Sequence, residues 1–147
     1  MVERQTQSAC LQAPLVLAVD DDEDSLVLLA GVLEILGWSC VTAGDGETAL
    51  AQVKLHRPDL ILLDIVLPDV NGLELLSQLK QVCPTHSTIA IAVTGLALAE
   101  EREKIQQAGF DDYICKPYLL TDLEALLWKH LKGKTPTLSA LEVGLTA

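Results

Sequence analysis

The chain has 147 residues, half of them hydrophobic, which fits one globular domain with a packed core and excludes global disorder. Its formal net charge of −11, from 21 acidic and 10 basic residues, opposes nucleic-acid binding and favours cationic ligands or basic protein surfaces. The 4 cysteines form no C-x-x-C pair and the 3 histidines have no ligand-like spacing to them, so neither a disulfide framework nor a zinc site is expected.

We expect neither a signal peptide at the N-terminus nor a membrane-spanning segment. Residues 1–13 are polar and lack the apolar stretch of a signal peptide. The apolar run 26–33 falls far short of the roughly 18 residues needed to span a bilayer. We therefore expect a cytoplasmic protein with no membrane contact, a compact domain over residues 14–131, and flexible tails at 1–13 and 132–147. We expect the second tail to be too short to form an output domain.

Short apolar runs alternate with segments of helical periodicity. The first run, Leu-Val-Leu-Ala-Val, is typical of a strand buried on both faces. Such runs predict strands at residues 15–19, 38–43, 60–63, 89–93 and 112–115. Apolar residues at helical spacing follow each run, over residues 26–36, 49–53, 75–82, 97–108 and 123–131.

Helix boundary signals lie between these segments. Gly37 stops the first predicted helix, and either Asp22 or Asp24 is expected to cap its start. Asn71 and the glycine after it open the third helix. The last helix is preceded by a capping-box sequence that begins at Thr121.

This order of elements indicates an α/β fold. Strict strand–helix alternation predicts a doubly wound (βα)₅ domain, with a parallel sheet, helices on both faces and right-handed crossovers. The flavodoxin-like strand order 2-1-3-4-5 is the natural choice for five such strands.

Polar residues end four of the predicted strands. The first strand is followed by the aspartates 20–22, the third by Asp64, the fourth by Thr94 and the fifth by Lys116. In an open parallel sheet, ligands bind at the carboxyl edge, next to the switch in strand order. The pattern therefore gathers carboxylates, a hydroxyl and an ammonium into one crevice.

That collection of groups favours phosphoryl-transfer chemistry. Closely packed carboxylates repel one another, and a hard dication such as Mg²⁺, for which Mn²⁺ can substitute, offsets the repulsion. The metal bridges carboxylate and phosphoryl oxygens, while lysine and threonine neutralise and hydrogen-bond the others. A carboxylate can itself be the nucleophile, giving an aspartyl-phosphate.

Four segments together resemble the receiver domain of two-component response regulators. They are residues 19–21, 63–72, 93–95 and 112–117, in the family's order and spacing across residues 14–131. The resemblance implies that Asp64 is the phosphoacceptor. It also implies that Asp21, Asp64 and the backbone carbonyl of Val66 ligate Mg²⁺ directly, with Asp20 acting mainly through metal-bound water.

The resemblance assigns further roles around the phosphoryl group. Thr94 would hydrogen-bond it and Lys116 would pair with it, while Gly95, where alanine is commoner, leaves room beside it. Tyr113 would be the aromatic switch that turns inward when Thr94 moves. A cis peptide bond between Lys116 and Pro117 would position the backbone.

The resemblance also implies a signalling role. The phosphoryl donor would be a histidine kinase or a phosphotransfer protein, and a downstream protein would bind the face formed by residues 97–131. A homodimer through that face is also compatible with the family. The chain would be no enzyme beyond its own phosphorylation and dephosphorylation, and it would bind neither nucleic acid nor membrane.

Three alternatives stay open. A phosphohydrolase of the haloacid-dehalogenase kind would need a second acid two residues after Asp64, where Val66 stands. A flavodoxin-like cofactor binder would need a phosphate loop after the first strand, where aspartates 20–22 would repel a phosphate. A docking module that works without phosphorylation would keep the acids unused.

Overall fold

The computed structural model describes residues 14–82, 88–95 and 98–131. The tails predicted at residues 1–13 and 132–147 lie outside the described residues. Strands and helices alternate along the described chain. In chain order they are β1 (Leu15–Val19), α1 (Glu23–Ile35), β2 (Ser39–Ala43), α2 (Gly46–His56), β3 (Leu60–Asp64), α3 (Gly72–Val82), β4 (Ile89–Thr94), α4 (Ala99–Ala108), β5 (Asp112–Cys115) and α5 (Leu120–Leu131).

The strands form one five-stranded parallel sheet in the order β2-β1-β3-β4-β5, as predicted. The first strand lies between β2 and β3, and Ala18 pairs with Thr42 on one side and with Leu62 on the other. This arrangement puts the switch in strand order between β1 and β3. The ends of these two strands therefore share one crevice at the carboxyl edge.

The sheet separates two hydrophobic cores because side chains alternate along each strand. In β3, Ile61 and Leu63 face the core shared with α2, α3 and α4. Leu60 and Leu62 face the other core, which α1 and α5 cover. Each of these four β3 side chains is at most 2% exposed, so apolar groups fill both faces of the strand. Polar groups are left to the strand ends.

Local signals fix most helix ends. The carboxylate of Asp22 accepts a hydrogen bond from the amide of Asp24 at 3.2 Å, so Asp22 is the N-cap of α1. Gly37 follows α1 with φ of 99°, a conformation that favours glycine. The amide of Trp38 donates to the carbonyl of Leu33, so β2 begins one residue later than predicted.

The capping box predicted at the start of the last helix was wrong. Helix α5 begins at Leu120, so Thr121 lies inside its first turn. The carbonyl of Leu119 accepts hydrogen bonds from the amides of Asp122 and Leu123, at 3.0 and 3.1 Å. The first turn of α5 is therefore built on the Leu119 carbonyl, and Thr121 is not its N-cap.

A helix that crosses a bilayer needs roughly 20 predominantly apolar residues. Along the described part of the chain, no helix combines the length and the apolar character needed to cross a bilayer.

A glycine allows the close approach between β3 and α3. A Cβ added at Gly72 would lie 2.6 Å from both the carbonyl oxygen of Asp64 and the Cα of Ile65. The amide of Gly72 also donates to the carbonyl of Ile65 at 2.8 Å. The start of α3 therefore packs directly on the backbone that carries Asp64.

We expect Gly72→Ala to lower the free energy of unfolding by about 1–3 kcal/mol, because the new methyl group meets backbone atoms that cannot move aside. Gly31→Ala is the matched control. Its Cβ meets no described atom within 4 Å on the exposed side of α1, so it should raise the free energy by about 0.5–1 kcal/mol. Urea denaturation measures both, and equal stability of the two variants would contradict this packing.

Candidate functional site

Three carboxylates meet at the carboxyl edge of the sheet. Asp20 and Asp21 follow β1, and Asp64 is the last residue of β3. One oxygen from each carboxylate lies within 4.8 Å of the others. Asp64 is 6% exposed, whereas Asp21 is an exposed residue. The predicted acidic cluster is therefore present, with Asp64 at its floor.

Lys116 reaches this cluster from the end of β5. Its Nζ donates to Oδ2 of Asp64 at 2.9 Å and to Oδ2 of Asp20 at 3.1 Å. The other oxygen of Asp64, Oδ1, accepts a hydrogen bond from the amide of Val66 at 3.1 Å. Both oxygens of Asp64 thus have a donor, and one lysine joins the ends of β1, β3 and β5.

The environment shifts the pKa values of the two central groups. Burial raises the pKa of Asp64 above its ordinary value of 3.8, and the hydrogen bonds from Lys116 and Val66 reverse only part of that effect. Burial lowers the pKa of Lys116, but its hydrogen bonds to Asp64 and Asp20 outweigh burial and raise the pKa to about 12. At neutral pH the ammonium therefore stays charged.

The cluster has the donor set of a site for a hard dication. Three carboxylates opposed by one ammonium leave a formal charge of two negatives, which a single divalent cation would cancel. Every ligand atom is a carboxylate oxygen, the type that Mg²⁺ prefers. Asp20, Asp21 and Asp64 therefore fit a magnesium ion.

Thr94 and Gly95 follow on the neighbouring strand. Thr94 ends β4 and is 4% exposed. Its carbonyl accepts the amide of Lys116 at 2.8 Å, so β4 and β5 stay joined up to the site. A Cβ added at Gly95 would meet no described atom within 4 Å, which agrees with open space at this position.

Pro117 and Tyr113 lie on either side of Lys116. The peptide bond between Lys116 and Pro117 is cis, as predicted. Tyr113 is half-buried in β5, packs against the α2–α4 core, and accepts a hydrogen bond at Oη from Nη1 of Arg102 on α4 at 3.4 Å.

The sequence reasoning assigned no role to two residues near the site. Tyr118 lines the crevice beside Asp20 and Lys116, and burial raises the pKa of its hydroxyl. Asp69, in the loop after β3, accepts hydrogen bonds from backbone amides at the start of α2. Tyr118 stands where phenylalanine is usual in receiver domains, and this departure is visible in the sequence. The contact of Asp69 joins segments far apart in sequence and leaves no local signal.

We expect Asp64→Asn to raise the free energy of unfolding at pH 7 by about 1 kcal/mol, because the ionised carboxylate is partly desolvated. The folded pKa of Asp64 is raised, so the protonated carboxyl stabilises the fold below pH 3.8, and this contribution is lost as the pH rises through the folded value. The gap between variant and wild type should therefore open above pH 3.8. Denaturation at several pH values measures it, and a variant less stable than wild type at pH 7 would overturn this account.

Comparisons with known proteins agree with this geometry. The family model described as the response regulator receiver domain matches residues 16–127. The polar-differentiation response regulator DivK of Brucella anthropi is 39% identical over 102 residues, which cover 69% of this chain and 83% of that protein. The probable transcriptional regulatory protein TcrX of Mycobacterium tuberculosis is 35% identical over 112 residues, 76% of this chain and 47% of that protein. The chain thus spans about half the length of that relative.

Solved structures give the same result. The CheY-like response regulator receiver domain protein of Methanospirillum hungatei superposes with a TM-score of 0.76 at 32% identity, covering 84% of this chain and 97% of that one. A two-component response regulator from Clostridium difficile superposes with a TM-score of 0.76 at 28% identity, covering 81% and 96%. The chain belongs to the response regulator receiver domain family, the signalling domains of two-component systems.

Proposed function

We propose that this receiver domain, comprising residues 14–131, accepts a phosphoryl group on Asp64 from a histidine kinase or a phosphotransfer protein in a Mg²⁺-dependent reaction. The observation that carries the proposal is the Asp64 carboxylate itself. It is nearly buried, lies 2.9 Å from Lys116, and forms one cluster with Asp20 and Asp21. Receiver domains bind Mg²⁺ at such an acidic pocket and interact with these two classes of donor.

Each site residue has a role in this proposal. A carboxylate oxygen of Asp64 attacks phosphorus, the bond from phosphorus to the donor nitrogen breaks, and its electron pair stays on the imidazole. Asp21, Asp64 and the Val66 carbonyl would hold Mg²⁺ directly, and Asp20 through water. When bound, Mg²⁺ would neutralise charge on the phosphoryl oxygens.

Lys116 and Thr94 would receive the transferred group. Lys116 already donates to Asp64, so its ammonium lies where the new phosphoryl oxygens would form. Thr94 ends the adjacent strand and would hydrogen-bond another of these oxygens. Gly95 would leave space for them, and the cis bond before Pro117 would fix the backbone that carries Lys116.

Phosphorylation would be signalled to a downstream protein through a neighbouring surface. We propose that Tyr113 and Thr94 change conformation together on phosphorylation and that a downstream protein binds the α4–β5–α5 face, within residues 97–131. Tyr113 already contacts Arg102 of α4, which supports this coupling. The net charge of −11 favours a basic protein surface over nucleic acid, and we propose a cytoplasmic location for the exchange.

Acetyl phosphate provides the direct test, because it supplies a phosphoryl group without a kinase. With Mg²⁺ present, intact mass should show one added phosphoryl group on wild type and none on Asp64→Asn. Asp45→Asn is the matched control: Asp45 is an acid that caps α2 and lies outside the acidic cluster, so this variant should be phosphorylated like wild type.

Other outcomes discriminate between the remaining functions. Uptake by Asp64→Asn at undiminished yield would move the acceptor elsewhere. No uptake by any of the three proteins, with or without Mg²⁺, would favour a docking module that works without phosphorylation. Turnover of a generic phosphate ester would favour a phosphohydrolase.

A further inference from the structure

The loop after β3 is attached to a helix on the other side of the site. Oδ1 and Oδ2 of Asp69 lie 2.9 and 3.1 Å from the amide nitrogen of Gly46, which donates to this carboxylate. The amide of Glu47 donates to Oδ2 at 3.3 Å. Both amides belong to the first turn of α2, whose partial positive charge attracts a carboxylate.

The loop that carries Asp69 is closed at its base by a backbone bridge. Val66 and Asn71 form an isolated bridge, so residues 66–71 leave and return at the same place. Behind the bridge, Gly72 packs on the backbone of Asp64 and Ile65. The base of the loop is fixed at the peptides of Asp64 and Ile65, and its tip is fixed by Asp69. The Val66 carbonyl belongs to the peptide that leaves the base toward the tip, so its orientation depends on both attachments.

The first turn of α2 has a second cap that does not involve the loop. Oδ1 of Asp45 accepts the amide of Thr48 at 2.7 Å. A Cβ added at Gly46 would lie 2.5 Å from Cγ1 of Val70 and 3.3 Å from Oδ2 of Asp69, so the glycine is what lets the loop approach. Asp45 thus caps α2 from the adjacent residue, and Asp69 attaches the loop after β3 to the same helix end.

We propose that Asp69 is a positioning residue for the magnesium site: by tying the loop tip to α2, it holds the carbonyl of Val66 where a bound ion needs it. This inference rests on the proposed function, in which Val66 supplies a backbone ligand. A metal ligand on a loop binds well only when its orientation is fixed, and groups that orient ligands contribute strongly to metal affinity. Asp69 itself touches backbone amides and acts through the loop.

Isothermal titration of the purified chain with MgCl₂ tests the inference without phosphorylation. Asp69→Ala should raise the Kd for Mg²⁺ about tenfold. Asp69→Asn keeps an acceptor for the Gly46 amide and should stay within about threefold of wild type, because asparagine caps helices nearly as well as aspartate. Asp45→Ala removes the other cap of the same helix and should bind Mg²⁺ like wild type. Thermal denaturation of each variant establishes that it is folded.

Each other outcome has a distinct meaning. Wild-type affinity in Asp69→Ala would overturn the inference. If Asp69→Asn lost as much Mg²⁺ affinity as Asp69→Ala, the negative charge of Asp69 and not its hydrogen bonds would be responsible. If Asp45→Ala lost as much, a loosened helix α2 would be responsible. Either result would overturn the inference. If Asp69→Ala does not fold, Gly46→Ala displaces the loop with every acid retained and should also weaken binding. Absence of Mg²⁺ binding by wild type would instead refute the proposed function.

Discussion

The carboxyl edge of this sheet is organised around one nearly buried carboxylate, which the proposed function requires as an ion. Asp64 ends the middle strand, and burial raises its pKa. Lys116 and the amide of Val66 bond its two oxygens and offset part of the cost of burial. Asp20 and Asp21 then add more negative charge than one lysine can balance. The excess makes the edge suited to a small dication.

The sheet supplies the distances that this arrangement needs. Side chains of β3 alternate between two apolar cores, which leaves the strand end as the place for a polar group. Parallel neighbours then bring the ends of β1, β4 and β5 beside it. The bond from the Lys116 amide to the Thr94 carbonyl continues the pairing of β4 and β5 past the last residue of β5. The backbone of Lys116 is therefore held in place, and its side chain reaches the acidic cluster from a defined position.

Sequence reasoning succeeded where the signal was local and repeated. A short apolar run followed by a polar residue placed Asp64 and Thr94 at strand ends, because burial on both faces leaves a strand few other compositions. It failed at Thr121, which has a capping-box sequence although α5 begins one residue before it. It also failed where distant contacts decide. The partners of Asp69 are 23 and 22 residues away, beyond any local pattern.

The position of Lys116 also decides what kind of response the site can give. On the proposed function, phosphoryl oxygens would enter between Asp64 and an ammonium that is only 2.9 Å away, so this side chain has to exchange partners. Its backbone amide is bonded to Thr94 and would stay in place, which confines the first change to side chains. Tyr113, three residues earlier on the same edge strand, is half-buried and bonded to exposed Arg102. A small rearrangement at the site therefore has a short route to α4 that requires no change in the sheet.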